Sequence, residues 1–379
     1  MTIHTRTAIL TNMILPDRIA LFGALCPLLD ETRIYLSDAS NQCEDKKLPS
    51  KATVIQQYTL RWNWSYMNRS GFRDQVSIHI PYDTFLRLLW FRPDVVISGE
   101  LGFRTFFSVL YCAFFPKTAL ILWATLSERT ESGRGPLRKL MRQWILARVD
   151  GVFVNGRSGE RYVRSMGYMG AAFIVPYAVN VRLLQTRSQA PKDGSIHLFC
   201  ASQLIERKGL RHFLPVLSRW CSDHPSRHVI LRIAGSGPEL ALLSALHYPP
   251  NLSVLFLGKV SHEKIVSLYQ TASFFAFPTL ADEWGLVVGE ALSCGVPVLG
   301  SVYSQVVEEL VVDGYNGWTF VPTNAESTYE AIDRALQTGD EVRRVMSQNA
   351  HVSIAKITTE AVAATIVEAI RTVRNTKGD

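Results

Sequence analysis

Short apolar runs of strand length alternate along this chain with stretches whose apolar residues recur at helical spacing. Thr7–Thr11 reads as a strand leading to Pro16, a helix follows with Ile19, Phe22 and Leu25, and Thr32–Leu36 is the next strand. Asp94–Ile97, Ala119–Trp123, Gly151–Val154 and Ala172–Val175 are further β-prone runs, and Phe103–Phe115 reads as a buried helix between two of them. After Pro176–Asn180, the stretch Gln185–Ser195 is polar and mixes Ser, Lys, Asp, Pro and Gly, the composition of a linker. The pattern then restarts with Ile196–Cys200, Val229–Ala234, Leu252–Leu257, Phe274–Phe277 and Val296–Gly300. Strands alternating with helices predict parallel sheets covered by helices. The expected fold class is therefore α/β, with two Rossmann-like doubly wound domains facing a cleft.

At 379 residues the chain exceeds the size at which one hydrophobic core keeps growing. The expected division is 1–180 and 181–356, with a C-terminal helix at about 357–376 able to pack back on the first domain. Hydrophobic residues make up 47% and charged residues 19%, which suits a folded globular protein. Cys26, Cys43, Cys112, Cys200, Cys221 and Cys294 are scattered singly without a CxxC pair or His cluster, which indicates neither a zinc site nor a disulfide framework and fits a reducing cytosol. Residues 1–12 lack the basic segment and long apolar core of a secretory leader. The run nearest to a membrane span, Phe106–Leu126, holds Pro116 and Lys117 in its middle, and a central Lys costs about 3 kcal/mol on insertion. A cytoplasmic protein is expected.

Charge changes that picture. Residues 1–180 hold 22 Lys and Arg against 14 Asp and Glu, whereas 181–379 hold 18 against 19, so the whole excess lies in the first half. Many of those cations fall in 129–164, interleaved with Leu137, Leu140, Met141, Trp144 and Ile145 at helical spacing. Two readings stay open for this amphipathic helix. Its apolar stripe packs on a sheet and leaves the arginines solvated, or its basic face attracts an anionic membrane surface or a lipid diphosphate, each near-surface cation contributing about 1 kcal/mol. Nucleic acid is not indicated, since no binding module accompanies the charge.

The densest chemistry lies in Phe277–Pro297, FPTLADEWGLVVGEALSCGVP. A strand ends at Pro278 and Thr279, and Gly285 opens a helix carrying Leu286, Val287, Ala291 and Leu292, closed by Gly295 and Pro297. The first amides of such a helix, on Gly285, Leu286 and Val287, have no carbonyl partner within it and point out of the positive dipole end, where a pyrophosphate can sit. Glu290 lies one turn further in, with oxygens suited to a ribose diol, and Asp282 reaches a sugar from the loop. The plain alternative is a surface glutamate and a loop acid near a helix start. In the second half, Lys208, with Arg207 beside it, stands after the first strand as a flexible point charge suited to a diphosphate, or as a solvated pair. Gly235–Pro238 lacks the third glycine of a dinucleotide fingerprint, so a nicotinamide dehydrogenase is poorly supported.

These residues resemble the family 4 retaining glycosyltransferases of the GT-B fold, of the type that builds bacterial surface polysaccharides. That family's signature is an acid, seven intervening residues and Glu, then Ala, two small or apolar residues and Cys-Gly-x-Pro-Val, which Asp282–Val298 matches with Asp in the place of the usual Glu. Ala201–Gly209 (ASQLIERKG) is similar to its Gly-Arg-Leu-x-x-x-Lys-Gly segment, with Gln203 where the family has Arg. The glycine-rich loop common in the first half is replaced by Asn12–Arg18 (NMILPDR).

The resemblance implies transfer of a sugar from a nucleotide-diphosphate sugar to a glycolipid or polyprenyl-diphosphate-linked acceptor. Asp282 would act at the sugar, and Lys208, Arg207, Gln203, Gly285, Leu286, Val287 and Glu290 would bind the donor. Leu257–Val260 marks the place where the family binds the base. Arg18 and Glu128 stand on the acceptor side. For Arg18 a bridge to Asp17 or Asp30 is the structural alternative. No cofactor or metal is expected, because no Asp-x-Asp occurs in the chain. His4 and His79 lie away from the predicted cleft loops, so no histidine base is expected from the first half. A front-face retaining reaction needs none, since the departing phosphate oxygen takes the acceptor proton. A peripheral place on the inner face of the cell membrane follows. A nucleotide-sugar epimerase, a phosphorylase or a non-catalytic nucleotide-sugar binding protein are the competing readings.

Overall fold

The structure, a computed structural model, describes residues 3–14, 16–38, 51–67, 73–131, 135–179 and 194–378. The expected linker falls outside the described residues apart from Gly194 and Ser195. The chain divides into two compact units, residues 1–178 together with 357–379, and residues 179–356.

The first unit runs β1 (Ile3–Thr11), α1 (Pro16–Leu25), β2 (Leu29–Leu36), β3 (Ala52–Gln56), β4 (Thr59–Met67), β5 (Arg73–Pro81), α2 (Thr84–Phe91), β6 (Val95–Gly99), α3 (Phe103–Phe114), β7 (Ala119–Ala124), α4 (Pro136–Leu146), β8 (Gly151–Val154), α5 (Arg157–Ser165) and β9 (Ala171–Ile174). Seven parallel strands form one sheet in the order β3-β2-β1-β6-β7-β8-β9. Each central strand is buried on both faces, and its residues split by parity between two cores. Ile9, Ile34, Ile97 and Ile121 meet Leu21, Phe22 and Leu25 of α1 on one face. Leu10, Val96, Leu120 and Leu122 meet Leu88, Val109 and Ile145 of α2, α3 and α4 on the other.

The second unit runs β10 (Ile196–Ala201), α6 (Leu210–Asp223), β11 (Val229–Ala234), α7 (Leu240–Ser244), β12 (Leu252–Gly258), α8 (His262–Gln270), β13 (Phe274–Phe277), α9 (Leu286–Ser293), β14 (Val298–Ser301), α10 (Gln305–Leu310), β15 (Gly317–Phe320), α11 (Ala325–Leu336) and α12 (Asp340–Ser353). Its parallel order, β12-β11-β10-β13-β14-β15, is the Rossmann order, and the reversal of strand order falls between β10 and β13. Trp220 and Phe213 of α6 and Ile332 and Ala335 of α11 fill one face.

The last helix, α13 (Thr359–Gly378), belongs to the first unit. It lies against α1 and places Val362, Ile366, Ile370 and Val373 in that core. Lys377 Nζ donates to Thr118 O at 2.7 Å and pairs with Asp150, which fixes its end.

Residues 52–67 and 73–81 carry structure that the apolar pattern does not announce. There β4 and β5 form a separate antiparallel ribbon. Leu60 and Trp62 alternate with Arg61 and Asn63 as a strand requires, yet Leu60 and Trp62 are exposed, so the ribbon's apolar residues do not mark a core.

Candidate functional site

In a doubly wound sheet, ligands sit at the carboxyl ends of the strands where the order reverses. In the second unit that place is built from two loops, one after β10 and one after β13, stitched together by main-chain contacts. Leu280 N donates to Arg207 O at 2.8 Å, and the Thr279 hydroxyl donates to the same carbonyl at 3.1 Å. Gly209, with φ +73°, lies so close to the β13 loop that a Cβ would collide with Pro278 O. Gly235 and Gly237 press equally closely on Ser202 and Leu204, and Leu204 N donates to Ser236 O at 3.0 Å. Glycines at these three positions let the loops touch.

This stitching brings the expected charges together. Lys208 Nζ forms an ion pair with Asp282, both side chains being nearly buried. Arg207 Nη1 lies 3.9 Å from the same carboxylate and donates to Ala281 O at 2.9 Å. The partner of Lys208 is thus Asp282; the adjacent Glu283 instead has its carbonyl held by Gln305 Nε2 at 2.6 Å. Gly285, at φ +103°, starts α9, and no side chain caps that end. A Cβ on Gly285 would meet the Phe277 ring at 2.9 Å, and Lys208 Nζ lies 5.5 Å from the centre of that ring. One aromatic ring therefore carries both the helix start and the ammonium, so two groups suited to a diphosphate lie side by side. Leu286 and Val287 form the first turn and are half-buried. Gln203 is exposed and has no hydrogen-bond partner among the described residues, so the position that holds the family's Arg contributes nothing to the pair.

Glu290 is held from below. The Tyr269 hydroxyl lies 3.1 Å from Glu290 Oε2 and 3.0 Å from Val287 O. Burial and the Glu290 charge push the Tyr269 phenol well above its ordinary range, so it stays a donor. Sequence reasoning missed Tyr269, whose position on α8 looks like any core aromatic. The LGKV segment is held closely too, with Gly235 N donating to Gly258 O at 2.8 Å.

The first unit holds the remaining candidates. Arg18 stacks on Trp123 at 4.0 Å and on Tyr177 at 4.6 Å. Asp30 pairs with His4 rather than with Arg18, and the side chain of Asp17, the other partner in the structural alternative, lies outside the described residues. Glu128 accepts from Arg161 Nε at 2.9 Å and from the Ser158 hydroxyl at 3.3 Å, and remains 44% exposed. The apolar stripe of α4 splits. Ile145 and Leu146 are buried, whereas Leu137 and Leu140 are 80% and 63% exposed, so the sheet-packing reading holds only for the helix's second half. His79 also departs from expectation: its Nδ1 lies 3.3 Å from Ser37 Oγ, just past the end of β2. Among the described residues, no group of three or more His, Cys, Asp or Glu is placed to hold a metal ion, and no helix is long and apolar enough to cross a membrane.

Two doubly wound units, the second with a lysine loop and an uncapped helix start at its switch point, define the GT-B class of fold. The comparisons with known proteins agree. Residues 182–353, a span that falls within the second unit, match the family described as glycosyl transferases group 1. A phosphatidylinositol N-acetylglucosaminyltransferase subunit of Arabidopsis thaliana is 27% identical over 175 residues, 45% of this chain and 39% of that protein, so this chain spans well under half of that relative's length. Among solved structures, the Anabaena HepE protein in complex with UDP is 14% identical with a TM-score of 0.72, over 98% of this chain and 100% of that one. The sucrose-phosphate synthase of Thermosynechococcus elongatus is 16% identical with a TM-score of 0.70, over the same shares of the two chains.

Proposed function

We propose that this protein is a retaining glycosyltransferase that needs no metal and moves a hexose-type sugar from a nucleotide-diphosphate sugar to a glycolipid or polyprenyl-diphosphate-linked precursor of a surface polysaccharide. The observation that carries this reading is the Lys208–Asp282 pair on the ring that also supports the start of α9. The diphosphate would lie on the amides of Gly285, Leu286 and Val287 with Lys208 and Arg207 offsetting its charge. Glu290, oriented by Tyr269, would accept from the ribose hydroxyls. Asp282 would hold the sugar while Lys208 bridges it to the phosphate. In the transfer, the bond from the anomeric carbon to the phosphate oxygen breaks and a bond to the acceptor oxygen forms on the same face, and the acceptor proton passes to the departing phosphate.

A lipid-linked acceptor is supported by the exposed Leu137 and Leu140 on the basic helix α4 and by the name of the Arabidopsis relative. A thermal-shift screen with UDP, GDP, ADP and their sugars identifies the donor, since a ligand that binds only the folded form stabilises it by RT ln(1 + [L]/Kd). Product analysis with labelled donor, run with and without a chelator, then tests the reaction. Label on an acceptor with retained configuration in the presence of chelator is expected. Epimerised sugar, sugar phosphate or no turnover overturns the reading.

A further inference from the structure

The first unit has a switch point of its own, between β1 and β6, and a polar cluster occupies it. Asn12 follows β1, Ser37 and Asp38 follow β2, and Glu100 follows β6. Arg104 rises from the first turn of α3, and Arg61 and His79 come in from the ribbon. The Arg104 side chain is almost wholly buried. Its Nη1 donates to Gly99 O at 3.0 Å and its Nη2 to Ser37 Oγ at 2.6 Å and to Asn12 Oδ1. Its Nε is buried with no acceptor among the described residues. Arg61 Nη2 donates to Asp38 Oδ1 at 2.7 Å.

The hydrogen bonds fix which atoms remain for a ligand. The Ser37 hydroxyl donates to Asn12 Oδ1 at 3.0 Å and accepts from Arg104, so the 3.3 Å contact with His79 is an Nδ1–H donating to Ser37. That tautomer leaves His79 Nε2 as an acceptor. The Asn12 amide donates to Glu100 Oε1 and leaves Oε2. Glu100 is exposed, and its backbone has φ +69°, a conformation that among the described non-glycine residues only Arg92 shares. Left-handed backbone costs of order 1 kcal/mol in a residue with a side chain and gathers at ligand sites. Here Thr105 Oγ1 and Trp123 O hold Glu100 in it, through the Glu100 carbonyl and amide.

We propose that this cluster binds a neutral polyhydroxylated ring, a carbohydrate or cyclitol, with Glu100 Oε2 and His79 Nε2 accepting from two of its hydroxyls and Arg104 acting as a positioning residue. The two cations, Arg61 and Arg104, are matched by two carboxylates, Asp38 and Glu100, so an anion would face as much negative charge as positive; hydroxyls suit acceptors of this kind without a net charge. The assignment of this ring as the acceptor's sugar rests on the glycosyltransferase reading, whereas its binding does not.

Saturation-transfer NMR on the full chain tests the binding directly, with methyl α-glucoside, methyl α-mannoside, N-acetylglucosamine, myo-inositol and inorganic phosphate as probes. Wild-type protein is expected to saturate the ring protons of at least one neutral probe, and Glu100→Gln and His79→Gln to lose that signal while their thermal shift with UDP stays at the wild-type size. Both positions are at least partly exposed, so these variants avoid the disruption that replacing buried Arg104 would cause. If transfer is observed, Glu100→Gln should raise KM for the acceptor about tenfold and leave KM for the donor unchanged. Equal saturation in wild type and variants, saturation of none of the neutral probes, or displacement of the neutral probe by phosphate overturns the proposal. A wild-type protein that binds the ring, loses that binding in the variants and yet transfers no sugar would instead count against the enzyme reading alone.

Discussion

Lys208 and Asp282 pair with one another, and this decides how each should respond to removal. Lys208 has three donors, so it can keep the carboxylate while meeting a phosphate oxygen. Taking away Asp282 leaves that cation to the diphosphate: Asp282→Asn should retain the UDP-induced thermal shift while turnover falls by about a hundredfold or more. Lys208→Ala should do the reverse and weaken UDP binding about tenfold. An Asp282→Asn protein with full turnover would remove Asp282 from the sugar. Glu290 depends on Tyr269, so Tyr269→Phe should raise donor KM about fivefold, the value of one hydrogen bond, with kcat changed less. His79 gives a pH signature. Burial first, then the Arg104 and Arg61 charges, lower its pKa against the opposing pull of Glu100 and Asp38. A depressed pKa means that the folded state binds the proton less well than the unfolded one. The stability from neutral His79 is therefore present above its ordinary value of about 6.5 and is lost as pH falls through its folded value. Denaturant melts of wild type and His79→Gln between pH 8 and pH 5 should show a shallower acid-side loss in the variant; parallel curves would show that His79 does not titrate against the fold. Burial pushes the Cys200 thiol up to about 11 and Cys294 to about 12, so these cysteines should resist alkylation in the native protein.

At the scale of elements, contact between the loops after β10 and β13 depends on Gly209 more than on any side chain. Gly209→Ala would drive a methyl group into Pro278 O, and with the positive φ the cost should be about 2–4 kcal/mol, read as a lowered melting midpoint together with weaker UDP binding. The central strands of both sheets are legible from apolar runs because they are buried on both faces, whereas the edge strands β3, with no fully buried position, and β15, only four residues long, are not; the α9 site is legible because strand end, Gly285 and Glu290 are close in sequence. The His79–Arg104 cluster is not, since it gathers residues from β5, α3 and the ends of β1, β2 and β6, and nothing local marks Arg104 as buried. The ribbon escapes notice for another reason: its alternation is real, but Leu60 and Trp62 are exposed and belong to no core. Helix α13 presents the opposite case, a helix far along the chain whose Val362, Ile366, Ile370 and Val373 complete the first core. Each such side chain contributes about 1.5–3 kcal/mol on burial, so the four together rival a domain's net stability of about 5–15 kcal/mol. Truncation after residue 358 should abolish soluble expression of the folded protein.

On the scale of the whole molecule, charge and exposed apolar surface coincide in the first unit. Residues 1–180 carry the entire positive excess, and α4 exposes Leu137 and Leu140 on either side of the exposed Lys139. Trp90, at the end of α2, is 90% exposed as well. A basic surface alone would bind anionic lipid weakly and release it as salt shortens the Debye length from about 10 Å at 0.1 M to about 3 Å at 1 M. Inserted leucines add a term that salt does not screen. Vesicles containing phosphatidylserine should therefore co-sediment the protein at low salt and keep part of it at high salt. Lys139→Glu should reduce the low-salt binding about thirtyfold, since the reversal removes one attraction and adds one repulsion of about 1 kcal/mol each. Leu137→Ser with Leu140→Ser should remove the salt-resistant part. Because all three side chains are exposed, these variants should melt as the wild type does. Unchanged co-sedimentation in both would leave α4 a solvated helix and move the search for the acceptor away from the membrane surface.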